Sequence, residues 1–268
     1  MTMTTKSITF TPEQQKQYER FVEDASNRAL KEVNPDKNGL QNLIEKGGEF
    51  QTYLVDGIRR FTAKEPDYEL ARTILDGDFI SPEEIVKANR VVFYTSDQLA
   101  EFGKTLPSKE VLEWCRDNDC ILIAGPAKVM SLLEIRELKS EYFYSKSGGW
   151  YANDSEKFSR NDKAETRWIM LRKKPIANST SKTWDEQQSL LSKLENVPNA
   201  AEVVWGLTVY KAIRGIYLLP DVYVRTSSLG SDGHHVHVGN FGADGLSVSS
   251  SWDDDRDGNI GLSASRKQ

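Results

Sequence analysis

His235-Val236-His237 sets two imidazoles two residues apart, the spacing that places both on one face of an extended strand. Such a pair can donate, accept or, with a third converging ligand, hold a metal ion. Spacing identifies no third ligand, and His234 points to the other face of a regular strand. Downstream, Asp253-Asp254-Asp255-Arg256-Asp257-Gly258-Asn259-Ile260 follows the opening of a D-x-D-x-D-G calcium loop, with oxygen ligands at alternate positions and a glycine for the sharp turn. Ala264 stands where a bidentate glutamate belongs, and the flanks read as strands rather than helices. Asp253, Asp255 and Asp257 are therefore candidate ligands of a weak Ca²⁺ or Mg²⁺ site, or else a plain turn. A divalent cation is the only cofactor these residues suggest.

The elements that must position them are short strands separated by Asp232-Gly233, Asp244-Gly245 and Asp257-Gly258, a dipeptide suited to turns with φ > 0. Residues 221–228, 234–239, 246–252 and 260–266 read as a four-stranded antiparallel meander. Alternation gives it an apolar face of Val222, Val224, Val236, Val238, Leu246, Val248, Trp252, Ile260, Leu262 and Ala264. The opposite face collects Tyr223, Arg225, Ser227, His235, His237, Ser247, Ser249, Ser251, Ser263 and Ser265. Short hydroxyl side chains let a ligand or partner approach a sheet closely, and Arg225 suits a carboxylate or phosphate. The alternative is a solvent-facing sheet, or one covered by another element. Tyr223, Arg225, His235, His237, Ser247 and Ser249 are the candidate ligand-binding residues.

Other chemistry leaves less trace. There is no G-x-S-x-G elbow, no phosphate-binding G-x-x-x-x-G-K-[ST] loop, no G-x-G-x-x-G and no H-E-x-x-H. The net charge of -5 argues against bulk attraction to nucleic acid. It hides a strip from Lys157 to Lys182 with eight basic and two acidic residues, +6, which leaves -11 elsewhere. Trp168 lies within that strip and Trp150, Tyr151 and Trp184 flank it, a pattern that follows a phosphate backbone while stacking on bases. The two cysteines, Cys115 and Cys120, span a helix end and a strand start, which points to free thiols in a reducing compartment. No apolar run approaches the ~20 residues that span a bilayer. The start, Met1-Thr2-Met3-Thr4-Thr5-Lys6-Ser7, lacks the features of a signal peptide, so the expected location is cytoplasmic, with no membrane partner.

Along the chain, the first third reads as helical. Thr11-Pro12-Glu13-Gln14 is a start signal, and Tyr18, Phe21, Val22, Ala25 and Ala29 form an apolar stripe. A second helical stretch from Leu40 to Phe61 is interrupted at Gly47-Gly48, and helices are expected at 68–75 and after Ser81. The middle alternates: strand 91–95, helices from Ser96 and Ser108, strand 120–124, and a helix over 130–138. The two strands suggest a β-α-α-β unit with parallel pairing. A hairpin over 142–152, a strand at 167–172 and a helix over 184–194 capped by Thr183 follow. Residues 199–219 read as a buried helix from Asn199 to Gly215, with a pair of strands as the alternative. The fold class is α+β: a helical amino-terminal part, a small mixed α/β middle and an antiparallel meander-rich carboxy-terminal part. The domain boundary falls at 140/141, giving 1–140 and 141–268.

The runs Tyr223-Val224-Arg225-Thr226-Ser227, Gly148-Gly149-Trp150-Tyr151-Ala152, Trp168-Ile169-Met170-Leu171-Arg172-Lys173, Ser181-Lys182-Thr183-Trp184-Asp185-Glu186-Gln187 and Gly261-Leu262-Ser263-Ala264-Ser265-Arg266-Lys267 resemble a family of uncharacterised bacterial proteins. The likeness spans roughly 140–267 and implies a bacterial, cytosolic setting without an activity. The expected role is a binding or interaction protein, for an unidentified protein or small ligand, that uses the polar meander face. The competing roles are a metal-dependent hydrolase and a nucleic-acid accessory protein using 157–182.

Overall fold

The computed structural model describes residues 11–62, 67–88 and 93–267. The chain forms two compact units, Met1–Phe61 and Thr62–Gln268. The first contains α1 (Pro12–Val33), α2 (Lys37–Glu45) and α3 (Gly47–Thr62). The local signals act as read. Thr11 accepts from the Gln14 backbone while Gln14 reaches back to Thr11 N at 3.0 Å. Asn34, in the left-handed region, closes α1 with its N–H on Leu30 O, and the Asp36 side chain caps α2 through Gly39 N at 2.7 Å.

The second unit carries the α4 (Glu69–Leu75), α5 (Pro82–Ala88), α6 (Ser96–Lys104), α7 (Lys109–Asp117), α8 (Leu132–Leu138), α9 (Phe158–Asn161), α10 (Trp184–Gln188) and α11 (Ala200–Arg214) helices. Its strands are β1 (Phe79–Ile80), β2 (Cys120–Ala124), β3 (Met130–Ser131), β4 (Lys163–Ala164), β5 (Trp168–Arg172), β6 (Glu195–Asn196), β7 (Tyr223–Leu229), β8 (His235–Gly242), β9 (Gly245–Ser250), β10 (Ile260–Leu262) and β11 (Ser265–Arg266). A five-stranded mixed sheet runs β1-β2-β5-β11-β6, and a four-stranded sheet runs β10-β7-β8-β9. Among the described residues no helix is long and apolar enough to cross a membrane.

Helix α11 lies between the two sheets, and 200–210 is buried throughout. The Asn199 capping box starts it and Gly215, at φ 73, ends it, so the helical reading of this segment holds and the strand pair does not. Gly206 sets the approach to the larger sheet: a Cβ there would meet Leu171 Cδ2 at 2.8 Å. Leu171 and Ile169 thus face α11. Trp168, on the other face of β5, packs edge-on against Tyr68 and Phe102. With helices on one side and α11 on the other, β2 and β5 are buried on both faces, which is why they read as continuous apolar runs.

Several expectations are corrected. The boundary at 140/141 falls inside the second unit, because β2 and β5 pair antiparallel across it from Cys120↔Arg172 to Ala124↔Trp168. Of the strand at 91–95, residues 91 and 92 lie outside the described residues and 93–95 is irregular. The parallel partner of β2 is instead β1, through Phe79↔Leu122. No hairpin forms over 142–152: Ser140–Tyr142 and Trp150–Ala152 are single 3₁₀ turns, and buried Phe143 makes one parallel bridge to Leu246. The helix after Thr183 ends at Gln188 rather than 194. The meander is three strands long, since β10 leaves the β9 edge, crosses the sheet and pairs parallel with β7, Ile260↔Tyr223.

Candidate functional site

On the polar face of the meander, Arg225 lies opposite His237, and His237 opposite Ser249. The two halves of this face differ in fate. On the β7 and β10 side it is covered by α10 and the loop before it, and Arg225 is 0% exposed. The guanidinium donates to Lys182 O (3.1 Å), Gln187 Oε1 (3.2 Å), Trp252 O (2.9 Å) and Asp255 O (3.1 Å). Gln187 in turn donates to Ser179 O and Ile260 O. Arg225 is therefore a clasp that ties residues 182–187 to residues 252–255, not a surface contact. Burial pulls its pKa below the usual arginine value, and the Asp253, Asp255 and Asp257 carboxylates pull it back.

That electrostatic role accounts for the aspartate run. The carboxylates supply counter-charge to a buried cation that belongs to the chain itself. Asp253 is bound to His235, and Asp257 Oδ1 accepts from Asn259 N at 2.7 Å. Among the described residues no three His, Cys, Asp or Glu side chains are placed to hold a metal ion, so neither this run nor the His235-His237 pair is assembled as a ligand set. Replacing Arg225 by methionine is expected to remove about 2 kcal/mol of stability, since four acceptors lose a charged donor that is itself buried. The same change should speed proteolysis within 252–258. Cleavage and stability matching the parent would sink the clasp.

His237 is 4% exposed, packs edge-on against Tyr223 with ring centroids 4.9 Å apart, and finds no hydrogen-bond partner for Nδ1 among the described residues. Burial, reinforced by the Arg225 charge and opposed by Asp257, holds its pKa down to about 4. It is a neutral imidazole beneath the surface.

The other half of the face is open. His235 donates or accepts through Nδ1 at 2.8 Å from Asp253 Oδ2, while its backbone N–H donates to Asp253 Oδ1 at 3.0 Å. A carboxylate at Nδ1 favours the proton there and leaves Nε2 as an acceptor. The ring stacks on Trp184, with centroids 3.5 Å apart and planes 18° from parallel. His234 likewise pairs with Asp232 (3.1 Å), but its ring lies tilted by 54° against Trp252 (centroids 4.1 Å) rather than stacked on it. Trp252, assigned by alternation to the core face, is 64% exposed because the strand ends at Ser250. Tyr223, Ser247 and Ser249 are half-exposed, whereas Ser263 and Ser265 are buried and donate to Arg225 O and Asn196 Oδ1.

Spacing alone missed Trp184, Gln187 and the pairing of Asp253 with His235. The last was within reach: β8 and β9 pair Val236 with Ser250, so continuing the hairpin register puts His235 opposite 251 and diagonal to Asp253.

The charge of the basic strip is largely neutralised. Six of its eight cations are paired with carboxylates: Arg160 with Asp154, Lys163 with Glu134, Arg167 with Glu202, Arg172 with Glu195, and Lys173 and Lys174 with Asp119. A cleft of about 300 Å³ between Gln98, Phe102, Thr166 and Arg167 is lined by one of these committed guanidiniums. Both cysteine thiols are free and buried.

Comparison with protein-family models, with curated proteins and with solved structures finds no match for this chain.

Proposed function

We propose that this is a binding protein that takes a protein segment or small ligand on the open half of the meander face, with Tyr223, His235, Ser247, Ser249 and Trp252 as contacts. The observation that carries this reading is the Trp184–His235–Asp253 stack beside a largely exposed Trp252. Its rings are held before any ligand arrives, so little side-chain freedom is lost on binding. Tryptophan supplies large contact area at sites that dominate binding energy. The surface around it is made of short hydroxyls, which permit close approach. Arg225 and His237 support the surface from beneath. A cytoplasmic setting, and the bacterial origin the sequence resemblance implies, accord with this role.

A ligand-observed NMR screen of small polar and aromatic compounds and short peptides tests it. Compounds that bind the parent are expected to lose about tenfold or more in affinity with Trp252→Ala or His235→Ala, the scale of a truncated contact centre. Binders indifferent to both substitutions would place the site elsewhere.

A further inference from the structure

Contacts join the open half of the meander face into one surface. Asp232 holds His234, whose ring lies tilted against Trp252. Asp253 holds His235, whose ring stacks on Trp184, and Asp253 O accepts from Trp184 N at 2.8 Å. Arg225 binds Trp252 O and Asp255 O from beneath. Residues 181–188, 231–237 and 252–257, together with Arg225, carry seven acidic and three basic side chains, a net charge of -4. All but one unit of the chain's -5 therefore gathers around this surface. Of the basic groups, Arg225 is buried and Arg256 is paired with Glu186. Asp254 and Asp255 are exposed, and among the described residues their carboxylates make no salt bridge or hydrogen bond.

Acidity alone fixes no ligand, and His237 supplies an independent mark. Its imidazole is 4% exposed and its Nδ1 has no partner among the described residues. The charges of Arg225 and Asp257 both act on it, which sets it under the 252–257 loop. An orphaned ring nitrogen is costly to bury, and a neutral imidazole offers an acceptor to an incoming N–H. Above it Trp252 is 64% exposed, and half-exposed Tyr223 adds a second ring. Aromatic faces beside carboxylates hold ammonium and guanidinium groups. Among the described residues no three ligating side chains converge, so the charge suits spread organic cations rather than a metal ion. We infer, on the basis of the binding role proposed above, that this surface takes a lysine- or arginine-rich segment of a partner protein. Its net charge exceeds what one small cation would neutralise. Half-exposed Ser247 and Ser249 offer hydroxyls to the backbone of such a segment.

Calorimetric titration of the full chain with an acetylated, amidated Gly-Arg-Gly-Arg-Gly peptide tests the inference, beside the same peptide carrying citrulline at both arginines. Citrulline keeps the shape and removes the charge. The arginine peptide is expected to bind, and the citrulline peptide to bind about tenfold or more weakly. Affinity for the arginine peptide should fall about fivefold or more on raising salt to about 0.5 M. It should fall about fivefold in Asp254→Asn/Asp255→Asn, which removes two exposed charges. If that variant melts below the parent, the citrulline and salt comparisons, both made on the parent, decide. Equal affinity for the two peptides, weakened alike by Trp252→Ala, would overturn the cation and leave the binding face standing. Arginine-peptide binding indifferent to Trp252→Ala and to the paired asparagines would place it elsewhere and overturn the inference. No binding of the arginine peptide overturns it as well; Trp252-sensitive ligands of another class would then keep the face, and their absence would remove both. Spermidine bound as tightly as the peptide would overturn the protein segment as occupant.

Discussion

Truncating Trp205 to alanine is expected to cost about 4 kcal/mol, the upper range for emptying a large aromatic site in a packed core. Trp205 is fully buried on α11, and its Nε1 donates to Ala124 O at 2.9 Å, which ties the helix to the β2 strand. The substitution leaves a void between helix and sheet and strands a buried carbonyl lone pair. In a unit of this size the loss should appear as a fall of about 10 °C in the melting temperature of the second unit. Trp205→Phe keeps most of the volume and should recover more than half of it. A cost below about 1 kcal/mol for Trp205→Ala would mean that α11 is not clamped between two sheets.

Acid should destabilise the second unit well before its carboxylates titrate, through His237. In the unfolded chain its imidazole takes a proton near the ordinary value of 6.5, whereas in the folded chain it waits until about 4. Between those values the unfolded state binds more protons, so stability is fully present above about pH 6.5 and falls as the pH drops. The loss should reach about 2 kcal/mol by pH 5 and about 3 kcal/mol by pH 4. Glu202 acts in the opposite sense, because burial raises its carboxyl pKa and folding then favours its protonated form. Glu84, held low against the cost of burial by the Ser81 N–H and then Arg214, and Glu195, held low by Arg172, add their own losses only below about pH 4.5. His237→Phe, which retains the ring packing on Tyr223, isolates the histidine. Urea midpoints for parent and variant at about pH 7.5 and pH 5 decide the matter: an equal drop in both would show that another group carries the acid sensitivity.

What could be read from sequence was what is decided locally. The boxes at Thr11, Ser81, Thr183 and Asn199 each link two residues three apart, and all four start helices where they were placed. The apolar runs 120–124 and 168–172 became strands for the same reason. Partners separated along the chain were not legible. Asp257-Gly258 resembles the two hairpin turns before it, yet the strand that follows pairs with β7 and not with β9, a choice made by which edge is free. The α+β class survives such errors because it depends on element content rather than order.

At the site, alternation correctly gathered Arg225, His235 and His237 on one face. Nothing in alternation announces that Gln187 and the Lys182 carbonyl will cover part of that face, so exposed and buried members looked alike. The aspartates were legible as a cluster but not as counter-charge to Arg225, whose position depends on the β7 register.

The crossing of β10 has a consequence for the order of assembly. Within seven residues, 260–266 completes one sheet beside β7 and then the other between β5 and β6. Until that stretch docks, β5 and β7 both present raw edges, with unpaired N–H and C=O groups open to any passing strand. The closing contact between Leu171 and Ser265 joins residues far apart in the chain, which favours slow, late closure. Residues 260–266 thus act as a zip fastener pulled last, and the window before it shuts is when this chain is most exposed to aggregation.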